Sequence, residues 1–75
     1  MRITYSRHAR DQMEERAITE QHVEQVLAFP DRLVEGVTAD EYNAVVEGRP
    51  LRVVMARNTD PSLVITVMIA SRERG

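Results

Sequence analysis

Apolar residues recur at helical spacing in the first third of the chain. A β-like run over residues 2–5 precedes Ser6, whose hydroxyl is a good acceptor for a free backbone N–H at the start of a helix. The helix is predicted over 7–17. Its apolar stripe is narrow and repeats every four residues: Ala9, Met13 and Ala17.

A second helix is predicted over 20–28, capped at its start by Thr19. Its buried face carries Val23, Val26 and Leu27. Pro30 ends this helix, because the proline ring cannot continue the helical hydrogen bonds and restricts the residue before it. Two short helices joined this closely form a helical hairpin.

After Pro30 the pattern changes to the alternation typical of strands. A short strand is predicted over 32–36, and three longer ones over 41–47, 51–57 and 63–72, with turns at 48–50 and 58–61. The last strand is apolar at nearly every position, which predicts a central strand buried on both faces. The prediction is one α+β domain over 1–75, of order β-α-α-β-β-β, with an antiparallel sheet covered on one face by the helical hairpin.

Composition excludes several classes of protein. The chain has 75 residues, no Cys and two His, so disulfides and thiolate chemistry are excluded, and neither a metal nor another cofactor is expected. We find no signal-peptide pattern and no apolar run long enough to span a membrane. The sequence therefore predicts a soluble, cytoplasmic protein.

Charge is distributed unevenly along the chain. All the positive charge comes from ten Arg, with no Lys, and the net charge is −2. Residues 1–16 carry +1, residues 17–48 carry −6 and residues 49–75 carry +3. The bias toward Arg is consistent with a GC-rich genome or with a surface that handles phosphate, because the guanidinium fork matches phosphate oxygens.

Three arginines are candidates for a phosphate site. Strands 51–57 and 63–72 are expected to be antiparallel neighbours, so Arg52, Arg72 and Arg49 can gather at one end of the sheet. There they could bind a phosphodiester and stabilise the charge of a pentacoordinate transition state. The alternative is that they are solvated strand ends, paired with the acidic middle segment.

Other side chains extend this candidate site. His8 could act as a general acid or base, or could tie the first helix to a neighbouring backbone. Tyr42 could stack on a base, or pack in the core with its hydroxyl at the rim. Arg57 and Arg16 are further candidate binding residues. His22 is expected on the solvent side of the second helix, without a specific role.

The motifs over 6–20, 26–31 and 48–54 resemble a group of short bacterial proteins of unassigned function. Their pattern is HAxxxMxxRGI(S/T), followed by a second helix, NPD and a closing pair of strands. Ala17 stands where that group usually has Gly. The exchange matters only if the helix ends there in a left-handed conformation, which Ala tolerates poorly.

More distantly, the layout and the ending from Gly48 to Arg72 resemble BrnT toxins and the wider RelE/ParE-type toxin fold. The resemblance implies a metal-free ribonuclease that is neutralised by an antitoxin, with Arg52 and Arg72 as phosphate ligands and His8 as a proton carrier. The acidic middle segment and the lack of a clear proton-transfer pair support a different interpretation, a non-enzymatic module that dimerises or binds a protein partner. A homodimer fits either interpretation, because a second copy could cover an exposed sheet edge.

Overall fold

A computed structural model describes residues 2–70. It contains two helices, α1 (Arg7–Glu15) and α2 (Glu20–Ala28). The five strands are β1 (Ile3–Tyr5), β2 (Arg32–Glu35), β3 (Ala39–Val46), β4 (Arg49–Ala56) and β5 (Ser62–Ile69). The α+β class and the two helices are confirmed. All four strands predicted after the helices are present, whereas the predicted order β-α-α-β-β-β counted only three, because it left out the short run after Pro30 that pairs with β3.

The sheet is mixed, with strand order β1-β5-β4-β3-β2. Strands β2 to β5 form the expected antiparallel meander, whereas β1 lies parallel to β5 with Ile3 beside Ser62. The prediction of an all-antiparallel sheet is therefore wrong at this edge. The two helices connect β1, at one edge of the sheet, to β2 at the opposite edge, and the meander then returns to place β5 beside β1 in the same direction.

Both helices lie on one face of the sheet, α1 over β5 and α2 over β3 and β4. Their predicted caps are confirmed: the Ser6 hydroxyl accepts from the Ala9 N–H at 3.0 Å, and the Thr19 hydroxyl accepts from the His22 N–H at 3.1 Å. The core between helices and sheet is entirely apolar. It consists of Ala9, Met13, Ile18, Val23, Val26, Leu27, Ala44, Val46, Leu51, Val53, Met55, Val64 and Val67. Neither helix has the length and apolar character needed to cross a membrane.

The opposite face of the sheet, here called the open face, carries no helix within residues 2–70. Strand β5 is central, yet only Val64 and Val67 on its helix side are buried, while Thr66 and Met68 remain half-buried. The prediction that β5 is buried on both faces is wrong. The nearly continuous apolar run predicts burial on both faces, but within residues 2–70 helices cover only one face of the sheet.

The turn between β3 and β4 is tighter than the predicted turn over 48–50. It consists of Glu47 and Gly48, with φ angles of 52° and 80°, and Val46 pairs directly with Arg49. Positive φ at both central residues matches the twist of adjacent strands. Arg49 and Pro50 therefore belong to β4, and this places Arg49 on the helix side of the sheet.

The two edges of the sheet differ in their protection. Beyond β1, the free edge of β5 is covered by the start of α1: the Ser6 hydroxyl donates to the Ile65 carbonyl at 2.8 Å, and the Gln12 side-chain oxygen accepts from the Val67 N–H at 3.0 Å. At the other edge all four residues of β2 are exposed. Among residues 2–70, side chains thus close the β5 edge and leave the β2 edge open.

Candidate functional site

One of the predicted site residues, Arg52, lies on the open face of the sheet. It lies between Leu51 and Val53, which are fully buried on the helix side, so strand alternation directs Arg52 the other way. Its Nε lies 3.2 Å from Asn43 Oδ1 and 3.1 Å from Glu41 Oε2. Both contacts use Nε, which leaves the two terminal nitrogens as donors for a ligand.

Asn43 is the centre of a polar row that crosses three strands. It pairs in register with Arg32 of β2 on one side and with Arg52 of β4 on the other. Its side-chain Nδ2 also donates to Glu41 Oε2 at 3.2 Å. Because directly paired residues point to the same face, Arg32, Asn43 and Arg52 form one row on the open face.

A shallow cleft of about 280 Å³ lies along this row. Its lining combines Arg32, Arg52, Glu41, Asn43 and Asp31 with Ala44, Val45, Pro50, Leu51 and Ala70. Charged side chains thus border an apolar patch, an arrangement suited to a small ligand that has both polar and apolar parts.

Two guanidinium groups and two carboxylates share the cleft, but their partners differ. Asp31 accepts from the Val45 N–H at 3.2 Å, and Glu41 is paired with Arg52. Arg32 is exposed and forms no ion pair within residues 2–70. Arg32 and the terminal nitrogens of Arg52 are therefore the positive groups available to an anion.

Arg49 does not join Arg52. It points to the helix side, where its terminal nitrogens donate to the carbonyl oxygens of Arg16 and Ala17 at 2.8 and 3.1 Å. These carbonyls belong to the end of α1, where backbone acceptors lack helical partners. The expected gathering of Arg49 with Arg52 is wrong, because residues three apart on a strand face opposite sides.

The other candidate arginines have local partners. Arg57 donates to the Gly36 carbonyl at 2.7 Å and pairs with Asp40 at 3.4 Å, so it connects the end of β4 to the loop before β3. Arg16 is exposed and pairs with its neighbour Glu15 at 3.2 Å. Neither lines the cleft.

His8, Tyr42 and Arg72 complete the predicted set. His8 is exposed on α1, which covers the helix side, so the sheet separates it from the open face. Tyr42 is half-buried and packs against the core. Arg72 lies outside the described residues. The sequence-predicted proton carrier and the sequence-predicted phosphate ligand Arg52 are therefore on opposite sides of the sheet.

Sequence reasoning missed Arg32, Asn43 and Glu41. Strand alternation alone places Glu41 and Asn43 on one face, but their proximity to Arg52 depends on the register between β3 and β4. His22 was also assigned no role. Its Nδ1 accepts from the Thr19 N–H at 3.1 Å and its Nε2 lies 3.3 Å from Glu47 Oε1, so it completes a capping box for α2.

The fold and the cleft define a small α+β protein with a one-sided mixed sheet and a mixed-charge cleft on its open face. The chain belongs to the family described as a domain of unknown function (DUF4258), whose model matches residues 5–69. No curated protein and no solved structure matches the chain. Membership in a family of uncharacterised small proteins is thus established, while the resemblance to BrnT and RelE/ParE-type toxins gains no support from these comparisons.

Proposed function

We propose that this protein is a toxin-like protein that acts on RNA at its open face and that an antitoxin neutralises in the cell. The observation that supports this proposal is the row of Arg32, Asn43 and Arg52. Neighbouring strands lie about 4.8 Å apart, so the backbones of the two arginines are separated by about 10 Å. Two flexible guanidinium groups at that spacing can both reach one phosphodiester.

The apolar part of the cleft suits the rest of a nucleotide. Val45, Pro50 and Ala70 line it next to the arginines. A base of single-stranded RNA can lie on such a surface while its phosphate is held by Arg32 and Arg52, because every base has an apolar face. Arg72, outside the described residues, stays a predicted third ligand of the phosphate.

Growth of a bacterial host tests this function. Induction of the intact chain is expected to arrest growth, and the double variant Arg32→Ala/Arg52→Ala is expected to relieve the arrest. Affinity for a single-stranded oligoribonucleotide, measured by fluorescence anisotropy at fixed salt, is expected to fall at least about tenfold in the double variant.

Arg7→Ala is the matched control, because Arg7 is an exposed arginine at the start of α1 and does not line the cleft. It is expected to arrest growth and bind RNA as the intact chain does. Normal growth under induction of the intact chain, or equal RNA binding by the double variant, would contradict the proposal.

A second candidate function is that of a non-enzymatic module that pairs with a second copy of itself. The bare edge strand β2 favours it: Leu33 and Val34 are exposed there, and Phe29 and Val37 beside it are 77% and 92% exposed. An exposed strand edge with apolar side chains is a template for strand pairing. A dimer would bury this edge.

Light scattering coupled to gel filtration tests the second candidate. The intact chain is expected to be a dimer at high micromolar concentration, and Val34→Lys is expected to give a monomer, because a charged side chain replaces an exposed apolar contact of the edge strand. Glu35→Lys, one residue further along β2, separates the loss of an apolar contact from a general effect of positive charge. A monomeric intact chain would exclude this function.

A further inference from the structure

The cleft contains a carboxylate that phosphate binding alone does not require. Glu41 Oε2 lies 3.1 Å from Arg52 Nε and 3.2 Å from Asn43 Nδ2. Neither contact uses Oε1, and the Glu41 side chain is 34% exposed. One oxygen of this carboxylate therefore accepts from Asn43 Nδ2 and forms an ion pair with Arg52 Nε, while the other faces no fixed partner among residues 2–70.

Phosphate binding would be weakened by a negative charge at this position. A carboxylate so close to one of the two arginines cancels part of the positive charge available to an anion. Its presence is explained if the bound ligand has a proton that must be removed. The ribose 2′-hydroxyl of RNA is such a group, and it lies next to the phosphate in every nucleotide.

We propose that Glu41 is the proton acceptor for cleavage of RNA in this cleft, an inference that rests on the proposed function. The 2′-oxygen forms a bond to the adjacent phosphorus as its proton passes to Glu41 Oε1. The bond from phosphorus to the 5′-oxygen breaks, and the leaving oxygen takes a proton from water. The resulting hydroxide is neutralised by the proton on Glu41, so the products are a 2′,3′-cyclic phosphate and a 5′-hydroxyl end.

Arg52 links the two parts of this mechanism. Its Nε forms an ion pair with Glu41, and its terminal nitrogens are available to the phosphate. One guanidinium therefore connects the proton-accepting carboxylate to the phosphate. Positive charge at the phosphate also stabilises the extra negative charge of the transition state. Asn43 fixes the same Glu41 oxygen from the neighbouring side, which makes it a positioning residue.

Other groups are less suited to accept the proton. Asp31 also lines the cleft, but its Oδ2 accepts from the Val45 N–H. His8 lies on α1, on the opposite side of the sheet from the polar row. Glu41 is the carboxylate that combines contact with Arg52 and an oxygen without a fixed partner.

Glu41→Gln tests the assignment with little change in shape. The full chain is assayed with a single-stranded oligoribonucleotide and with an mRNA in a translating extract, and product ends are identified chemically. The variant is expected to lose at least about 100-fold in kcat, a loss typical of removing a general base. KM is expected to stay constant or to fall, because a negative charge leaves the cleft.

A pH profile separates proton transfer from a structural role. In the intact chain, kcat/KM is expected to fall on the acidic side of the pH profile. This fall should persist in Glu41→Asp at lower activity and disappear from the residual activity of Glu41→Gln. Glu35→Gln is the matched control, since Glu35 is an exposed carboxylate of the same sheet that does not line the cleft. It is expected to cleave as the intact chain does.

Three outcomes would overturn the assignment. They are unchanged kcat in Glu41→Gln, a comparable loss in His8→Ala instead, and absence of cleavage by the intact chain in both assays. If RNA binding and growth arrest still depend on Arg32 and Arg52, the proposed function survives any of these results. If RNA is not bound at all, both proposals fail.

Discussion

The two faces of β4 show how the molecule separates folding from chemistry. On the helix side Leu51 and Val53 are completely buried, and Arg49 binds the end of α1. On the open face Arg52 and Val54 are half-buried, and Arg52 lines the cleft. Alternation along one strand therefore gives one face to the core and the other to a ligand. Substitutions on the two faces should differ in kind.

The largest difference is expected between the neighbours Leu51 and Arg52. Leu51→Ala leaves a cavity in the centre of the core and should lower the free energy of unfolding by about 3 kcal/mol. Arg52→Ala removes a half-exposed ion pair and should cost less than about 1 kcal/mol. Urea unfolding followed by circular dichroism measures both. Equal losses would contradict the separation of the two faces.

A smaller effect is expected at Ser6, which attaches α1 to the sheet on the helix side. Ser6→Ala removes the acceptor for the Ala9 N–H and the donor to the Ile65 carbonyl, and should cost about 1 to 2 kcal/mol. Thr4→Ala is the control, because Thr4 is an exposed hydroxyl residue in the adjacent strand and should change stability by no more than about 0.5 kcal/mol. Similar losses in both variants would show that the hydroxyl contacts of Ser6 contribute little.

Ala17 is a position on the helix side where stability should increase. Its φ is 53°, in the left-handed region that disfavours residues with a Cβ. Ala17→Gly should raise the free energy of unfolding by about 1 kcal/mol and the melting temperature by about 4 to 8 °C in scanning calorimetry. Ala70→Gly, one residue after β5, should not raise it. A lower melting temperature for Ala17→Gly would mean that the entropy that glycine adds to the unfolded chain outweighs the backbone strain that it relieves in the folded one.

The smallest effect at neutral pH is expected at Tyr5, which packs against the helix-side core. Burial, followed by the carboxylates of Glu20 and Glu24, raises the pKa of Tyr5, while Arg10 opposes this shift. The folded protein thus holds the phenolic proton more tightly than the unfolded chain does. The resulting stability is complete below pH about 10 and is lost as pH rises through the folded-state pKa.

Tyr5→Phe should reduce this alkaline loss. The Tyr5 hydroxyl is buried with no hydrogen-bond partner among the described residues, so its removal should change stability at pH 7 by no more than about 1 kcal/mol, in the stabilising direction. Thermal unfolding from pH 7 to 11 compares the variant with the intact chain. Identical alkaline slopes would exclude a contribution from Tyr5.

The ends of the helices were largely predictable from local chemistry. Ser6 and Thr19 cap the helices where the sequence places them, and the second helix ends before Pro30 as expected. The first helix ends at Glu15, two residues before the predicted end, because Ala17 turns into the left-handed region. The glycine usual at this position in the resembling proteins was the signal for that turn.

The sheet and the site were only partly predictable. The sequence analysis named Arg52 as a candidate phosphate ligand at one end of the sheet, but its partners come from β2 and β3 through a register that no local pattern specifies. Arg49 was misplaced because the turn was read as 48–50 instead of Glu47 and Gly48. The direction of β1 was missed because its three residues carry no information about their partner.

The parallel pairing of β1 with β5 has a consequence for the growing polypeptide on the ribosome. Ile3 pairs with Ser62 of β5, and the apolar stripe of α1 packs on the same strand, which is the last of the five in sequence order. Ala9 and Met13 therefore lack the strand against which they pack until β5 has been synthesised. Contacts between such distant residues form slowly, so the domain should acquire its structure in one late, concerted step.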